Sequence, residues 1–178
     1  MSTLVVLGID PASIRNMGAA ILEVNTETRV FKVLWHSTVV LPDFKTDGAR
    51  LTHIHDEFEK IVDKYKPTVL SIEFSRGFGQ SFVRQNLQES CGVIKMCCHL
   101  NDIEVFEPSP NHMKLVIAGS GKAKKADMKI WVKKIAPDMD KPKTEHEADA
   151  VASALTYLID EDIIDRIHEI KTKVKKKK

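Results

Sequence analysis

Four side chains stand out for what they could do together. Asp10 closes the apolar run LVVLGID at 4–10, and Glu73 sits near the end of TVLSIEF at 68–74. His146 and Asp149 lie three apart in TEHEADAVASALTYLI at 144–159. On a helix that spacing brings both out on one face near its start, and Glu145, four before Asp149, reaches the same side. Taken singly, each acid has a plain explanation. Asp10 can end a strand, Glu73 can hold an ion pair, and first-turn carboxylates favour a helix dipole. Together, three carboxylates converging beside an imidazole, with no matching lysines in the same motifs, are unstable unless divalent cations balance them. An oxygen-rich set of this kind suits magnesium or manganese. Two such ions about 3.5–4 Å apart would supply the chemistry of phosphodiester hydrolysis.

Positioning these groups requires a sheet. Residues 4–10 have the length and Val/Leu content of a buried central strand. Residues 17–25 and 30–40 are two further strands, joined through the short polar segment NTETR as a hairpin. The first three strands are therefore expected to be antiparallel neighbours, with Gly18 and Ala19 leaving room beside the first. Residues 49–65 carry a helical stripe (Leu51, Ile54, Phe58, Ile61, Val62, Tyr65) stopped by Lys66-Pro67. His53 and His55 lie within it, two apart; they do not face each other and read as surface residues.

Strand 68–74 follows, then the loop SRGFGQ at 75–80 and a helix at 81–99 with Val83, Leu87, Cys91, Ile94 and Cys98 on one stripe. Gly92 within that helix could mark a close helix contact, and Val93 and Met96 form a second stripe suited to a dimer seam. A strand at 103–107 ends at Pro108 and Pro110. A helix or turn at 111–117 breaks at Ala118–Gly121, and a basic helix at 122–135 turns Met128, Trp131 and Ile135 inward. The acidic helix at 144–159 has its own stripe (Ala148, Val151, Ala152, Leu155, Leu158, Ile159). Helix–strand alternation after the opening hairpin implies an α/β fold: a mixed sheet, first antiparallel and then parallel, with helices on its faces. The functional edge of such a sheet lies at the carboxyl ends of its central strands.

At 178 residues, with 43% apolar and 29% charged content, the chain is a soluble globular domain with a substantial core. Its net charge of +2 is uneven. Lys122, Lys124, Lys125, Lys129, Lys133 and Lys134 cluster, and six lysines crowd the last eight positions, so a polyanionic partner is indicated. Cys91, Cys97 and Cys98 are odd in number and form no CxxC pair, which indicates neither a disulfide framework nor a zinc site. They read as buried thiols in a reducing compartment. No run is long enough to span a bilayer, and MSTLVVLGID has no basic flank of the signal-peptide kind, so no membrane association and a cytoplasmic setting are expected.

The motifs resemble one known family. GIDPA at 8–12, SIEF at 71–74, VFEPSPNHMKLVIAGSGKAKKADM at 105–128 and HEADA at 146–150 are similar to those of RuvC-type Holliday-junction resolvases. These form a branch of the retroviral-integrase and RNase H superfamily. The likeness runs from Gly8 to about Ile159, with Ala12 where a glycine is usual. It implies a mixed five-stranded RNase H-like sheet, a homodimer, and magnesium (manganese substituting) with two ions per site. Asp10, Glu73, His146 and Asp149 would be the catalytic and metal set, His146 standing where some members carry aspartate. Lys114 and Lys125 correspond to lysines that contact phosphates near the scissile bond, with Lys122 and Lys124 beside them. The family's aromatic wedge, three residues after the second acid, is replaced by Arg76, flanked by Phe74 and Phe78. Phe78, between glycines on a loop, suits base stacking.

The implied activity is symmetric nicking of four-way DNA junctions in recombination and repair, in a bacterial cell or a phage-infected host. The implied domain is 1–160, with a C-terminal helical extension and basic tail at 161–178. The altered 74–78 segment leaves open a less selective nuclease acting on forks, flaps and Y-junctions, and a non-cleaving branched-DNA binder is the reading from another class.

Overall fold

The computed structural model describes residues 2–11, 15–74 and 82–166, with backbone alone for 82–84. Arg76, Phe78 and the lysine tail lie outside the described residues. Three strands open the chain: β1 (Thr3–Asp10), β2 (Asn16–Asn25) and β3 (Val30–Val40). Then come α1 (Asp47–Tyr65), β4 (Val69–Ile72), α2 (Phe82–Leu100) and β5 (Glu104–Phe106). Three helices finish the described chain: α3 (Pro110–Ala118), α4 (Lys125–Ile135) and α5 (Glu145–Asp160). The sheet order is β3-β2-β1-β4-β5, with β1–β2 and β2–β3 antiparallel and β1–β4 and β4–β5 parallel. This is the expected mixed five-stranded sheet.

Strand alternation sorts the core into two layers. Leu7, Ile9, Ala19, Ile21, Leu70 and Ile72 face α1 and α2, where Ile54, Phe58, Ile94, Cys97 and Cys98 cover them. Val6, Ala20, Leu22 and Val69 face α3, α4 and α5. Within the first layer Arg50 is buried at the α1–α2 seam. Its guanidinium donates to Ser90 Oγ (2.8 Å), Asn86 Oδ1 (3.0 Å) and Glu89 Oε2 (2.8 Å), which holds the first half of α2 in place. The apolar stripe of α1 gave no hint of this clamp.

Several boundaries differ from the sequence expectation. β4 stops at Ile72: the Phe74 N–H still donates to the Pro108 carbonyl at 2.9 Å, but Pro108 has no N–H to return a bond. Pro110 opens α3 rather than merely ending β5; its missing N–H costs nothing at a first helical position, and Ser109 caps the turn. The basic helix begins at Lys125, with Lys124 as its N-cap, and Val132 is the buried residue where Trp131 was expected; Trp131 packs only at the rim. Gly92 marks no close contact: a Cβ there would meet nothing within 4 Å.

The largest difference concerns α5. Its stripe is buried as expected, but Ala150, Ser153, Ala154, Thr156 and Tyr157 are buried as well. The helix is enclosed between the sheet and α3 and α4, so polar groups are presented at its two ends, in the first turn and at Asp160, which meets His112 Nε2 at 2.8 Å. Its backbone rests directly on the sheet. A Cβ on Gly8 would lie 2.1 Å from the Ala150 carbonyl oxygen, and one on Gly18 would lie 1.9 Å from that of His146. The room beside β1 is thus filled by α5. Beyond α5, residues 161–166 form turns, not helix; Ile164 is buried and Arg29 pairs with Asp162 and Asp165, both at 3.1 Å.

The two glycine environments make opposite forecasts. Gly18→Ala forces the first turn of α5 away from β2 and is expected to cost about 1–3 kcal/mol, as overpacking does. Gly92→Ala, in open space inside a helix, is expected to stabilise by about 0.5–1 kcal/mol. Urea unfolding of the two variants measures both; equal effects would contradict the packing described.

Candidate active site

The same alternation that builds the core aims the acids. Gly8 and Asp10 share one face of β1, and Ser71 and Glu73 share one face at the end of β4. Ile9 pairs with Ile72 in the parallel ladder, so Asp10 and Glu73 leave adjacent strands side by side. Their face is the one that α5 covers. Ser71 Oγ donates to the Ser153 carbonyl (2.7 Å), and Ser153 Oγ donates to the Ser71 carbonyl (2.9 Å), both fully buried. This reciprocal pair locks α5 to β4 two residues before Glu73.

The start of α5 is fixed at three further points. Thr144 is the N-cap, accepting from the Glu147 N–H. Glu147, 3% exposed, accepts from His36 Nδ1 (2.8 Å), Thr38 Oγ1 (3.3 Å) and the Lys143 N–H (3.0 Å). Burial alone would push its carboxyl up, but these donors outweigh it and hold the group below the usual carboxylate range. Glu147 is therefore an anchor to β3, turned away from the acids. Glu145, which the spacing placed beside Asp149, reaches out to Lys129 and Lys125 instead, and the Lys129 hydrogen bond lowers its pKa.

His146 and Asp10 meet: Nδ1 lies 2.9 Å from Asp10 Oδ2. An ionised carboxylate can only accept, so Nδ1 carries a proton, and in the neutral ring Nε2 is then the nitrogen with the lone pair. Asp10 is 8% exposed, and its Cα is paired with that of Gly18, on which the His146 carbonyl rests. The close approach of α5 is what makes this contact possible. Glu73 and Asp149 are half-buried, and their charges act on the same centre. Burial raises the Glu73 pKa most, followed by the charges of Asp10 and Asp149. Burial likewise leads for Asp149, followed by Asp10.

Lys114 and Lys125 pull the Glu73 pKa back down, and Lys125 does the same for Asp149. Both lysines, on α3 and α4, are thus near enough for their charges to act on the acidic centre. Lys122 and Lys124 are exposed on the turn between those helices, and Lys124 N–H donates to Asp127 Oδ2 at 2.9 Å. Phe74 is partly buried beside Glu73, where a cavity of about 280 Å³ opens toward Leu87, Gln88 and Cys91.

The quartet is gathered but not closed. Among the described residues, the trio of His, Cys, Asp or Glu whose donor atoms all lie within 4.8 Å of one another is elsewhere: His55, Glu59 and Cys97. Mutual repulsion keeps like-charged carboxylates apart until something cationic enters. The donors themselves, carboxylate oxygens with one imidazole, suit a hard divalent cation.

Residues 6–157 match the family model described as crossover junction endodeoxyribonuclease RuvC. The RuvC of Prochlorococcus marinus subsp. pastoris is 33% identical over 156 residues, 88% of this chain and 97% of the relative. That of Rickettsia typhi is 32% identical over 156 residues, 88% and 98% of the two chains. Among solved structures, Thermus thermophilus RuvC in complex with Holliday junction substrate superposes with a TM-score of 0.80 at 23% identity, covering 89% and 94% of the two chains. The yeast mitochondrial Holliday junction resolvase Ydc2 follows the same fold with a TM-score of 0.63 at 14% identity, covering 86% and 77%. With the motifs at the ends of β1 and β4 and the start of α5 all inside the matched span, the chain belongs to the RuvC family of crossover junction endodeoxyribonucleases.

Proposed function

We propose that this chain is a homodimeric endonuclease that resolves four-way DNA junctions by paired nicks, using magnesium or manganese. Asp10, Glu73, His146 and Asp149 form its catalytic and cation-holding set, and the fold from 1 to 160 is the nuclease unit, with 161–178 as an extension. What supports this most is the convergence of those four groups at the carboxyl ends of β1 and β4. The raised pKa values of Glu73 and Asp149 mark carboxylates short of compensating positive charge. The family's relatives supply the substrate class, and the bacterial source of those relatives supplies the setting, a bacterial cytoplasm.

When bound, divalent ions at this site would activate the attacking water and stabilise the departing alkoxide. The chain's own groups do the rest. Asp10 orients the His146 ring through Nδ1–H, which leaves Nε2 available to ligate or to handle a proton. Lys114 and Lys125 draw the scissile phosphate toward the acids, while Lys122 and Lys124 extend the basic surface along the backbone. Such contacts position the duplex without reading bases. Phe74 and the cavity beside it are where an unpaired base would stack, with Arg76 and Phe78 following within four positions in the sequence. Met96 and Leu100, 51% and 68% exposed on α2, support pairing of two chains along that helix; Val93 packs largely inward. Two sites related by a two-fold axis suit a substrate with two equivalent strands.

On a panel of synthetic junction, fork, flap and linear duplex with Mg²⁺, paired nicks at symmetric positions of the junction are expected. Asp10→Asn and Asp149→Asn are expected to slow cleavage at least ~100-fold while junction binding persists; ligand-shell losses of 10–100-fold set the scale. Cleavage by Asp10→Asn at the parent rate would overturn the assignment of that acid. Equal rates on forks and flaps would replace junction resolution by general debranching.

The pKa directions make a second forecast. Glu73 and Asp149 have raised folded-state values, so without cations they bind protons more tightly folded than unfolded. Their contribution to stability is complete below the ordinary carboxylate range and is lost as pH rises through the folded values. At pH 7 in chelator, the Glu73→Gln/Asp149→Asn variant should therefore melt above the parent. Mg²⁺ at ten times its Kd should then stabilise the parent by about 1.4 kcal/mol, with about 2–4 °C in Tm per kcal/mol, and leave the variant unmoved. Scanning calorimetry with and without Mg²⁺ measures both; an unchanged parent Tm would contradict cation binding at these acids.

A further inference from the structure

On the opposite side of the sheet from the acids, His55, Glu59 and Cys97 bring three different donor types together. His55 and Glu59 are four apart on α1, hence on one face, and Cys97 comes from the last turns of α2. One donor atom from each lies within 4.8 Å of the other two. We infer that these three residues form a second cation site, of the zinc class, that joins α1 to α2.

Several features beyond proximity favour a soft divalent ion. Asp56 Oδ1 sits 3.0 Å from His55 Nδ1. A carboxylate there accepts Nδ1–H, which leaves Nε2 with its lone pair, as in the carboxylate–histidine arrangement that supports metal-bound imidazoles. Asn101 Nδ2 donates to Glu59 Oε1 at 3.0 Å, orienting the carboxylate from α2's far end. Asn101 itself is held by the Cys97 carbonyl at 3.0 Å, so one side chain braces both ligands. The Cys97 thiol is fully buried, and the Glu59 carboxylate lies close enough to act on it.

Thiolate, imidazole and carboxylate together suit zinc, cobalt or nickel and do not suit magnesium. Three protein ligands leave a fourth, water-filled position of the usual tetrahedron. Bond lengths of about 2.0–2.3 Å place tetrahedral donors about 3.3–3.8 Å apart, inside the 4.8 Å that bounds the trio. Cys98, equally buried, is not one of the three. Cysteine spacing could not reveal such a site, because its ligands come from two helices about forty residues apart and include one thiol only. Bound zinc would cross-link α1 and α2, the two helices that cover this face of the sheet. It is independent of the nuclease assignment.

Cobalt reads the site directly, since a thiolate bound to Co²⁺ gives a charge-transfer band that carboxylate and imidazole ligands do not. The full-length chain, stripped with chelator under reducing conditions, is titrated with Co²⁺. The expected band saturates at one equivalent per chain and is displaced by equimolar Zn²⁺. It is lost in His55→Ala and in Cys97→Ser, weakens at least tenfold in affinity in Glu59→Gln, and persists in Cys91→Ser and in Asp10→Asn. No band in the parent, or a band that survives His55→Ala, would overturn the site and leave a plain Cys97–Glu59–Asn101 hydrogen-bond network. His55 is partly exposed, so His55→Ala carries the test even where the buried Cys97→Ser change disturbs folding.

Discussion

Everything at the acidic centre depends on how closely one helix can approach the sheet. α5 rests its backbone on Gly8 and Gly18, at separations where any Cβ would collide with a helix carbonyl. A helix normally packs on a sheet through side chains, with its axis held off by them. Here two missing side chains on neighbouring strands lower the axis, and the small residues Ala150 and Ala154 continue the contact. The descent carries the first turn of α5 down to the strand ends. That is why His146 reaches Asp10 from 136 positions away in the chain. The Ser71–Ser153 pair and the Glu147–His36 contact then stop the helix from sliding or rotating.

With geometry settled in this way, electrostatics defines the chemistry. Burial and like charge both work against ionisation of Glu73 and Asp149, and nearby Lys114 and Lys125 compensate only in part. A carboxylate group strained in this sense favours any cation that can share its oxygens. The structure therefore spends stability of the cation-free state to keep affinity where phosphate chemistry would need it. The lysines of α3 and α4 sit where they serve both partners, easing the repulsion and attracting a polyanion.

Much of this was legible in the sequence. Short apolar runs and period-3.6 stripes located the five strands and the helices of the described residues, and the runs ending at Asp10 and Glu73 foretold adjacent strand ends. The spacing of His146 and Asp149 correctly placed them on one turn. What escaped was decided by atoms that patterning does not weigh. Spacing assigned Glu145 to the acids, but the Lys129 ammonium draws it outward. Glu147 was indistinguishable from a metal candidate until His36, on β3, was seen beside it. Gly92 looked like a contact glycine and is not, while Gly8 and Gly18, inside strands, are. Arg50 shows the same limit: a buried cation is readable only once its partners on another helix are in view.

Anomalous scattering from crystals of the chain grown with Mn²⁺ tests the central claim most directly. Manganese density bounded by Asp10, Glu73 and Asp149, with His146 still within hydrogen-bonding or ligating distance of that cluster, is the result this account predicts. Manganese bound elsewhere, with these four side chains empty at saturating Mn²⁺, would contradict it.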